Sequence, residues 1–302
     1  MSVRSKLEAR SILVTGGGGG LARALAACEW PGKYKVVAPS RQALDICDVE
    51  QVESAIATIR PAVVINTAAY TKVDLAEKAA PSVLSVNDRG CAVLCDVASR
   101  TATKLLHVST DFVFSGALER PYRETDVTGP LNVYGQTKLR GEELVLGSAD
   151  ETVVVRASWL LSGRAGFIPA VLARAQKRAA LDVVSDQNGT PTDIDDLACA
   201  LRDIALRMTE GGGLRRIYHV AGVEEATWYD VAGAVVAAWA ERTGAARPVV
   251  RPVTSKEWGA DAARPANSRL DSSAFQTDFG YGLPSWRSKV VNWVAAFERG
   301  RA

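Results

Sequence analysis

Tyr134 and Lys138 stand four residues apart in Asn132-Val133-Tyr134-Gly135-Gln136-Thr137-Lys138-Leu139-Arg140-Gly141-Glu142, a segment whose spacing predicts a helix with both side chains on one face. A carbonyl that takes up a hydride needs a proton on its oxygen, and an isolated tyrosine, with a pKa of about 10, is a weak acid. A neighbouring ammonium stabilises the phenolate and favours proton transfer. The same ammonium can hydrogen-bond the ribose of a hydride donor. Such a pair also arises on ordinary surface helices, so its meaning depends on what surrounds it.

Two other segments converge on it. The run Leu105-Leu106-His107-Val108 ends in Ser109-Thr110-Asp111, at the carboxyl end of a strand, where open α/β sheets bind ligands; Thr110 is placed there to polarise a substrate oxygen. The run Val63-Val64-Ile65 ends in Asn66-Thr67-Ala68-Ala69-Tyr70, and the small Ala68 and Ala69 would let a nicotinamide and a sugar come close. A third apolar run, Ile12-Leu13-Val14, passes into Thr15-Gly16-Gly17-Gly18-Gly19-Gly20 and then Leu21-Ala22-Arg23-Ala24-Leu25-Ala26. Strand, glycine turn and helix in that order suit a dinucleotide: its pyrophosphate approaches where no Cβ intervenes and rests on the helix N-terminus. Gly16 and Gly19 fill the two demanding positions, with Gly20 and Leu21 following and Ala22 in the third glycine position. For the adenosine ribose, Ser40 and Arg41 at the next strand end favour NADPH, with NADH possible as the alternative. Asp45 and Ile46 are expected at the adenine.

These residues need a parallel sheet to hold them. Apolar runs at 12–14, 35–38, 63–65, 105–108 and 153–155 alternate with helix-like segments, which argues for βα units. Their unbroken apolar character suits strands covered on both faces. The expected fold is α/β, a Rossmann-type doubly wound parallel sheet with helices on both faces and a smaller α/β C-terminal substrate-binding region. The division is 1–160 for the dinucleotide-binding part with the catalytic residues, and 161–302 for a smaller, partly interleaved nucleotide-sugar-binding part. The second half is looser and glycine-rich, with helical patterns at 167–178, 195–208 and 228–242, the last beginning from Thr227 as N-cap.

The 302 residues are 47% hydrophobic and 23% charged, with 36 basic and 34 acidic side chains mixed along the chain, which gives no basic track for nucleic acid. The polar N-terminus and the lack of a long apolar stretch predict no membrane segment and a cytoplasmic location. Five cysteines fall in no complete zinc spacing, so no metal is expected. His107 and His219 lie in apolar, strand-like runs and are expected to be satisfied structural histidines.

Taken together, the chain resembles the extended short-chain dehydrogenase/reductases and, within them, the branch of dTDP-4-dehydrorhamnose reductases and related nucleotide-sugar 4-ketoreductases. The likeness is carried by the glycine loop, by Ala69-Tyr70-Thr71 with Val73-Asp74 and Ala76-Glu77, by Ser109-Thr110-Asp111 and by Pro130-Leu131-Asn132-Val133-Tyr134-Gly135. Arg156-Ala157-Ser158-Trp159, Asp186-Gln187, Gly189, Pro191-Thr192 and Arg264-Pro265 extend it. The resemblance implies a catalytic triad of Thr110, Tyr134 and Lys138, an NAD(P)H cofactor, and a dTDP-linked 4-keto-6-deoxy sugar. Tyr70, Val73, Asp111, Ser158 and Trp159 would face that sugar, Trp159 as an apolar wall. The C-terminal half would close over the nucleotide diphosphate, with Arg264 or Arg269 neutralising phosphate. Ala24 stands where a metal-linked dimeric subset carries glutamate, which leaves a monomer or another kind of homodimer. Two alternatives share these features: an epimerase or dehydratase of the same family, and a non-catalytic regulatory subunit. Against dehydration, Thr110-Asp111 is followed by Phe112 and not by the glutamate that elimination needs.

Overall fold

The apolar runs form strands β1 (Arg10–Thr15), β2 (Tyr34–Val37), β3 (Pro61–Asn66), β4 (Lys104–Thr110) and β5 (Thr152–Ala157). The computed structural model describes residues 10–78, 85–148 and 151–300, so the polar start of the chain lies outside the described residues up to Arg10. A further strand, Ile217–His219, pairs with β5, and the sheet runs Ile217–His219, β5, β4, β3, β1, β2 with every pairing parallel.

Successive strand residues point to opposite faces, and here both faces are apolar. Ile12, Val14, Val63, Ile65, Leu106, Val153 and Val155 pack with Leu21 and Leu25 of helix Gly20–Ala27 and Leu197 and Leu201 of helix Ile194–Thr209. Leu13, Val64, Leu105 and Val154 pack with helices Val49–Ile59, Gly90–Thr101 and Val133–Gly147. This is the doubly wound arrangement, and it explains why the strands carry continuous apolar runs. The chain beyond residue 160 thus returns to the sheet, through helix Ile194–Thr209, strand Ile217–His219 and helix Ser273–Phe279, whose Phe275 joins the same core.

A separate apolar cluster joins helices Phe167–Ala175, Trp228–Thr243 and Val290–Arg299 around Val235, Trp286 and Trp293. Thr227 caps its helix as the sequence predicts, in a capping box with Asp230. Helix Phe167–Ala175 stops short of the expected 178.

β1 lies between β2 and β3, so the chain leaves its carboxyl end in opposite directions and a crevice opens there. The glycine loop fills it. Gly16 has φ +73°, and a Cβ on it would sit 2.9 Å from Ala68 Cα. Gly17 is a further demanding position: a Cβ on it would lie 2.1 Å from the Ala38 carbonyl oxygen, whereas one on Gly19 would come to 3.2 Å of Gly16 O. The loop's own need for glycine therefore comes from the end of β2, which local sequence does not reveal.

Gly17→Ala should cost roughly 1–3 kcal/mol by overpacking, while Gly18→Ala, whose Cβ would meet nothing within 4 Å, should change stability by less than about 0.5 kcal/mol. Chemical denaturation of both variants checks the contrast; equal losses would contradict it.

Candidate active site

The helix Val133–Gly147 begins where its sequence supplies a cap: the Asn132 side chain accepts from Gly135 N–H at 2.8 Å and donates to the Ala263 carbonyl at 2.8 Å. Glu77 accepts from Val133 N–H at 2.8 Å. A Cβ on Gly135 would lie 2.3 Å from the Phe112 carbonyl oxygen, so only glycine lets the helix start touch the turn after β4. That contact sets the Tyr134 ring edge-on to Phe112, with centroids 5.8 Å apart, and its hydroxyl beside Thr110.

Tyr134, Lys138 and Glu142 follow at successive four-residue steps along one helix face. Glu142 forms a buried ion pair with Arg156 of β5, at 2.7 Å, with side chains 1% and 4% exposed. Leaving one member of such a pair alone costs about 3–5 kcal/mol, so this pair fixes the helix against the sheet. Lys138 is also buried; its Nζ donates to the Val108 carbonyl at 2.8 Å and lies 3.1 Å from His107 Nε2.

His107 is satisfied at both ring nitrogens, as expected of a buried histidine, but one partner is the lysine of the pair. The other is Asn66 Nδ2, 3.0 Å from His107 Nδ1. Asn87, also missed, accepts from Tyr70 N–H at 2.9 Å and donates to Thr137 Oγ1 at 3.0 Å, tying the β3 loop to the helix. Asn66 carries a signal, since a polar side chain closing a covered apolar strand must find a polar partner, whereas Asn87 sits among the polar, at least partly exposed Ser85, Asp88 and Arg89 and carries none. His219 bonds the Tyr122 carbonyl and faces Arg156, away from the pair.

Thr110 Oγ1 donates to Asp111 Oδ1 at 2.9 Å and accepts from Phe112 N–H at 3.2 Å. Ser158 donates to the other Asp111 oxygen at 3.0 Å. Burial pushes the Asp111 carboxyl up to about 6, against hydrogen bonds from Ser268, Thr110 and Ser158. Burial likewise pushes the Tyr134 phenol up to about 12; Thr110 opposes this and Asp111 adds to it. Tyr134 therefore holds its proton through the neutral range. Burial lowers the Lys138 ammonium, with Cys91 and Glu142 opposing.

Beside this group lies a cleft of about 270 Å³ lined by Gly16, Gly18, Gly19, Arg41, Leu44, Asp45, Ile46, Thr67, Ala68, Ala69, Tyr70 and Val86. Most of the residues predicted for a cofactor thus share one wall, and the open Cβ side of Gly18 next to a helix N-terminus fits a pyrophosphate. Gly20 starts that helix, and the Leu21 side chain packs into the sheet core, which leaves its backbone in the helix's first turn as the part that could meet a cofactor. Ser40 bonds Gln42 instead of lining the cleft. Arg41 and Asp45 contact each other at 3.4 Å, and Asp45 is held below the usual carboxylate range mainly by the Cys47 N–H.

Among the residues expected at the sugar, Tyr70 lines the cleft, Ser158 is buried on Asp111, and Val73 opens the short helix Val73–Ala76, partly exposed. Trp159 is 8% exposed, with one face stacked on Trp228 at 3.7 Å and its indole N–H on Ser268. Its φ of 42° is in the left-handed region, costly for a bulky residue. Arg264 is not a free cation: it makes a two-pronged pair with Asp74, at 3.0 and 2.8 Å. That partner lies 190 residues away, beyond what a local pattern discloses. Arg269 is engaged by Asn267 and Glu225. Arg264 also borders a second cavity of about 250 Å³ with Phe167, Arg174, Gln187, Trp228 and Trp258, of which sequence singles out only Gln187.

A glycine loop at the switch point of a parallel sheet, with a helix that carries a half-buried Tyr134 and a buried Lys138 facing the next strand ends, defines a dinucleotide-dependent reductase of the extended short-chain type. The family whose model matches is described as the RmlD substrate binding domain, over residues 10–299. The chain belongs to that family, in the nucleotide-sugar 4-ketoreductase branch of the extended short-chain enzymes. It is 40% identical to a dTDP-4-dehydrorhamnose reductase from Aggregatibacter actinomycetemcomitans, covering 93% of this chain and 97% of that protein. A second relative of the same name, from Sinorhizobium fredii, is 37% identical, covering 94% and 97%. Among solved structures, the dTDP-4-dehydrorhamnose reductase from Bacillus anthracis in complex with NADP matches with a TM-score of 0.84 at 29% identity, covering 97% of this chain and 98% of that one.

Asp111 yields a pH prediction. Its folded-state pKa is raised from 3.8 to about 6, so ionising it weakens the fold as pH rises through that window and the loss persists above it. At about 1.4 kcal/mol per pH unit, the unfolding free energy of Asp111→Asn minus that of wild type should rise by about 2–3 kcal/mol between pH 4 and pH 7, the variant gaining stability relative to wild type. A pH-independent difference would contradict the assignment.

Proposed function

We propose that the protein reduces the C4 keto group of a dTDP-linked 4-keto-6-deoxyhexose with NADPH, NADH being the lesser donor. The observation that carries this reading is the meeting of Thr110, Tyr134 and Lys138 at the carboxyl edge of the sheet beside the glycine-loop cleft, in a chain of the 4-ketoreductase branch. When bound, the nicotinamide cofactor supplies the hydride; Gly16, Gly19, Arg41, Asp45, Ile46, Ala68 and Ala69 would hold it.

Tyr134 delivers its proton to the C4 oxygen as negative charge builds there. Thr110 bonds the same oxygen, and Lys138 stabilises the phenolate that remains. Asp111, held by Ser158, orients Thr110 and the sugar, with Tyr70, Val73 and Trp159 around the ring. The part from 161 to 302 receives the nucleotide, and the cavity walled by Phe167, Trp228 and Trp258 with Arg174 at its edge suits a base and its phosphates. Among the described residues no helix is long and apolar enough to cross a membrane. The reading places the enzyme in the cytoplasm as a monomer or homodimer.

The dehydratase alternative lacks a carboxylate where Phe112 stands, its ring against Tyr134. The regulatory alternative leaves unexplained a buried lysine on the tyrosine's helix face.

Tyr134→Phe should lower kcat by about 10²–10⁴-fold with cofactor affinity unchanged, read by NADPH oxidation and by fluorescence titration of the cofactor. Wild-type turnover in that variant would overturn the mechanism.

A further inference from the structure

Asn66 ends β3 with 1% exposure. Its Oδ1 accepts from the Ala68 backbone N–H at 3.1 Å and from the Thr15 hydroxyl at 2.7 Å. A backbone N–H can only donate, so the amide cannot be turned over. Its Nδ2 then faces His107 Nδ1 at 3.0 Å. Nδ2 in turn can only donate, so His107 accepts at Nδ1, and a neutral imidazole that accepts there carries its proton on Nε2. The ring is neutral: burial, then the adjacent Lys138, holds it well below the usual histidine range. His107 Nε2 lies 3.1 Å from Lys138 Nζ, whose other bond is the one donated to Val108 O. An ammonium there would set donor against donor, whereas an amine accepts from Nε2–H and still donates to the carbonyl.

We propose that His107 is a positioning residue that sets the charge of Lys138: its tautomer is fixed from the Ala68 amide through Asn66, and it donates Nε2–H to Lys138 and biases the lysine toward the amine. The wire starts in the cofactor cleft, which Ala68 lines. Other groups facing Lys138 do not restore the charge. Cys91, from helix Gly90–Thr101, is a thiol pushed up to about 11 by burial, and Glu142 is paired with Arg156. Tyr134 holds its proton, and Asp111 lies beyond it, bonded to Thr110 and Ser158. The Lys138 ammonium, and with it the support for Tyr134 as an acid, is therefore lost at lower pH than an ordinary lysine would allow. This rests on the reading of Tyr134 and Lys138 as the acid pair.

The chain has two histidines, and their surroundings dictate opposite tautomers. His219 donates Nδ1–H to the Tyr122 carbonyl at 2.9 Å. Long-range proton–nitrogen NMR of histidine-labelled protein, assigned with His219→Gln, should show His107 protonated at Nε2 and His219 at Nδ1. His107 protonated at Nδ1, or as imidazolium near pH 7.5, overturns the proposal. The spectra need no turnover, so failure of the acid-pair reading would leave this result unchanged. In Asn66→Asp a carboxylate at Nδ1 should draw the proton there, leaving Nε2 to accept from the ammonium, and the upper pH limb of kcat should rise by about one unit. An inverted tautomer with an unmoved limb would sink the link to Lys138, whereas damage to the fold alone would lower kcat at every pH.

Discussion

Lys138 is an ionisable side chain with 2% exposure, and the cost of keeping its charged form out of water, several kcal/mol if uncompensated, governs how the site is built. The Val108 carbonyl can bond it because β4 runs parallel to its neighbours and ends beside the helix. Glu142, one helical turn on, would be the obvious counter-ion, yet it is held by Arg156. That pair locks the helix to β5 and leaves the lysine dependent on a carbonyl and a histidine. The result is a site whose proton inventory is set by the sheet, and not by solvent.

The same constraint connects the two ends of the crevice. Ala68 meets Gly16 closely enough to exclude a Cβ, and its amide anchors Asn66, which reaches His107. Asn87 adds a second tie from Tyr70 to Thr137. The wall of the dinucleotide cleft and the proton-donating helix thus share hydrogen bonds, and a side chain that shifts one shifts the other.

What the sequence discloses is what depends on local pattern. β1 to β5 are legible because a strand covered on both faces must be apolar throughout, and Thr227 is legible because a capping box closes within three residues. The run around His219 reads as strand-like, but the place of Ile217–His219 beside β5 is set by packing and not by local pattern. Tyr134, Lys138 and Thr110 are legible because helical spacing and strand ends are local. The contact of His107 with Lys138 spans 31 residues and the pair Arg264 with Asp74 spans 190; each follows from packing register, which a linear pattern does not carry. The stack of Trp159 on Trp228 is of the same kind, and so is the need for glycine at position 17, which comes from β2.

In the proposed reaction a proton from Tyr134 and a hydride meet at C4 of a keto sugar. Incubating the protein with a dTDP-4-keto-6-deoxyhexose and NADPH carrying deuterium at both nicotinamide C4 positions, followed by NMR of the product, tests this. One deuterium is expected on the new carbinol carbon C4 for each NADPH oxidised. Deuterium at another carbon, or a changed sugar without net NADPH oxidation, would contradict it.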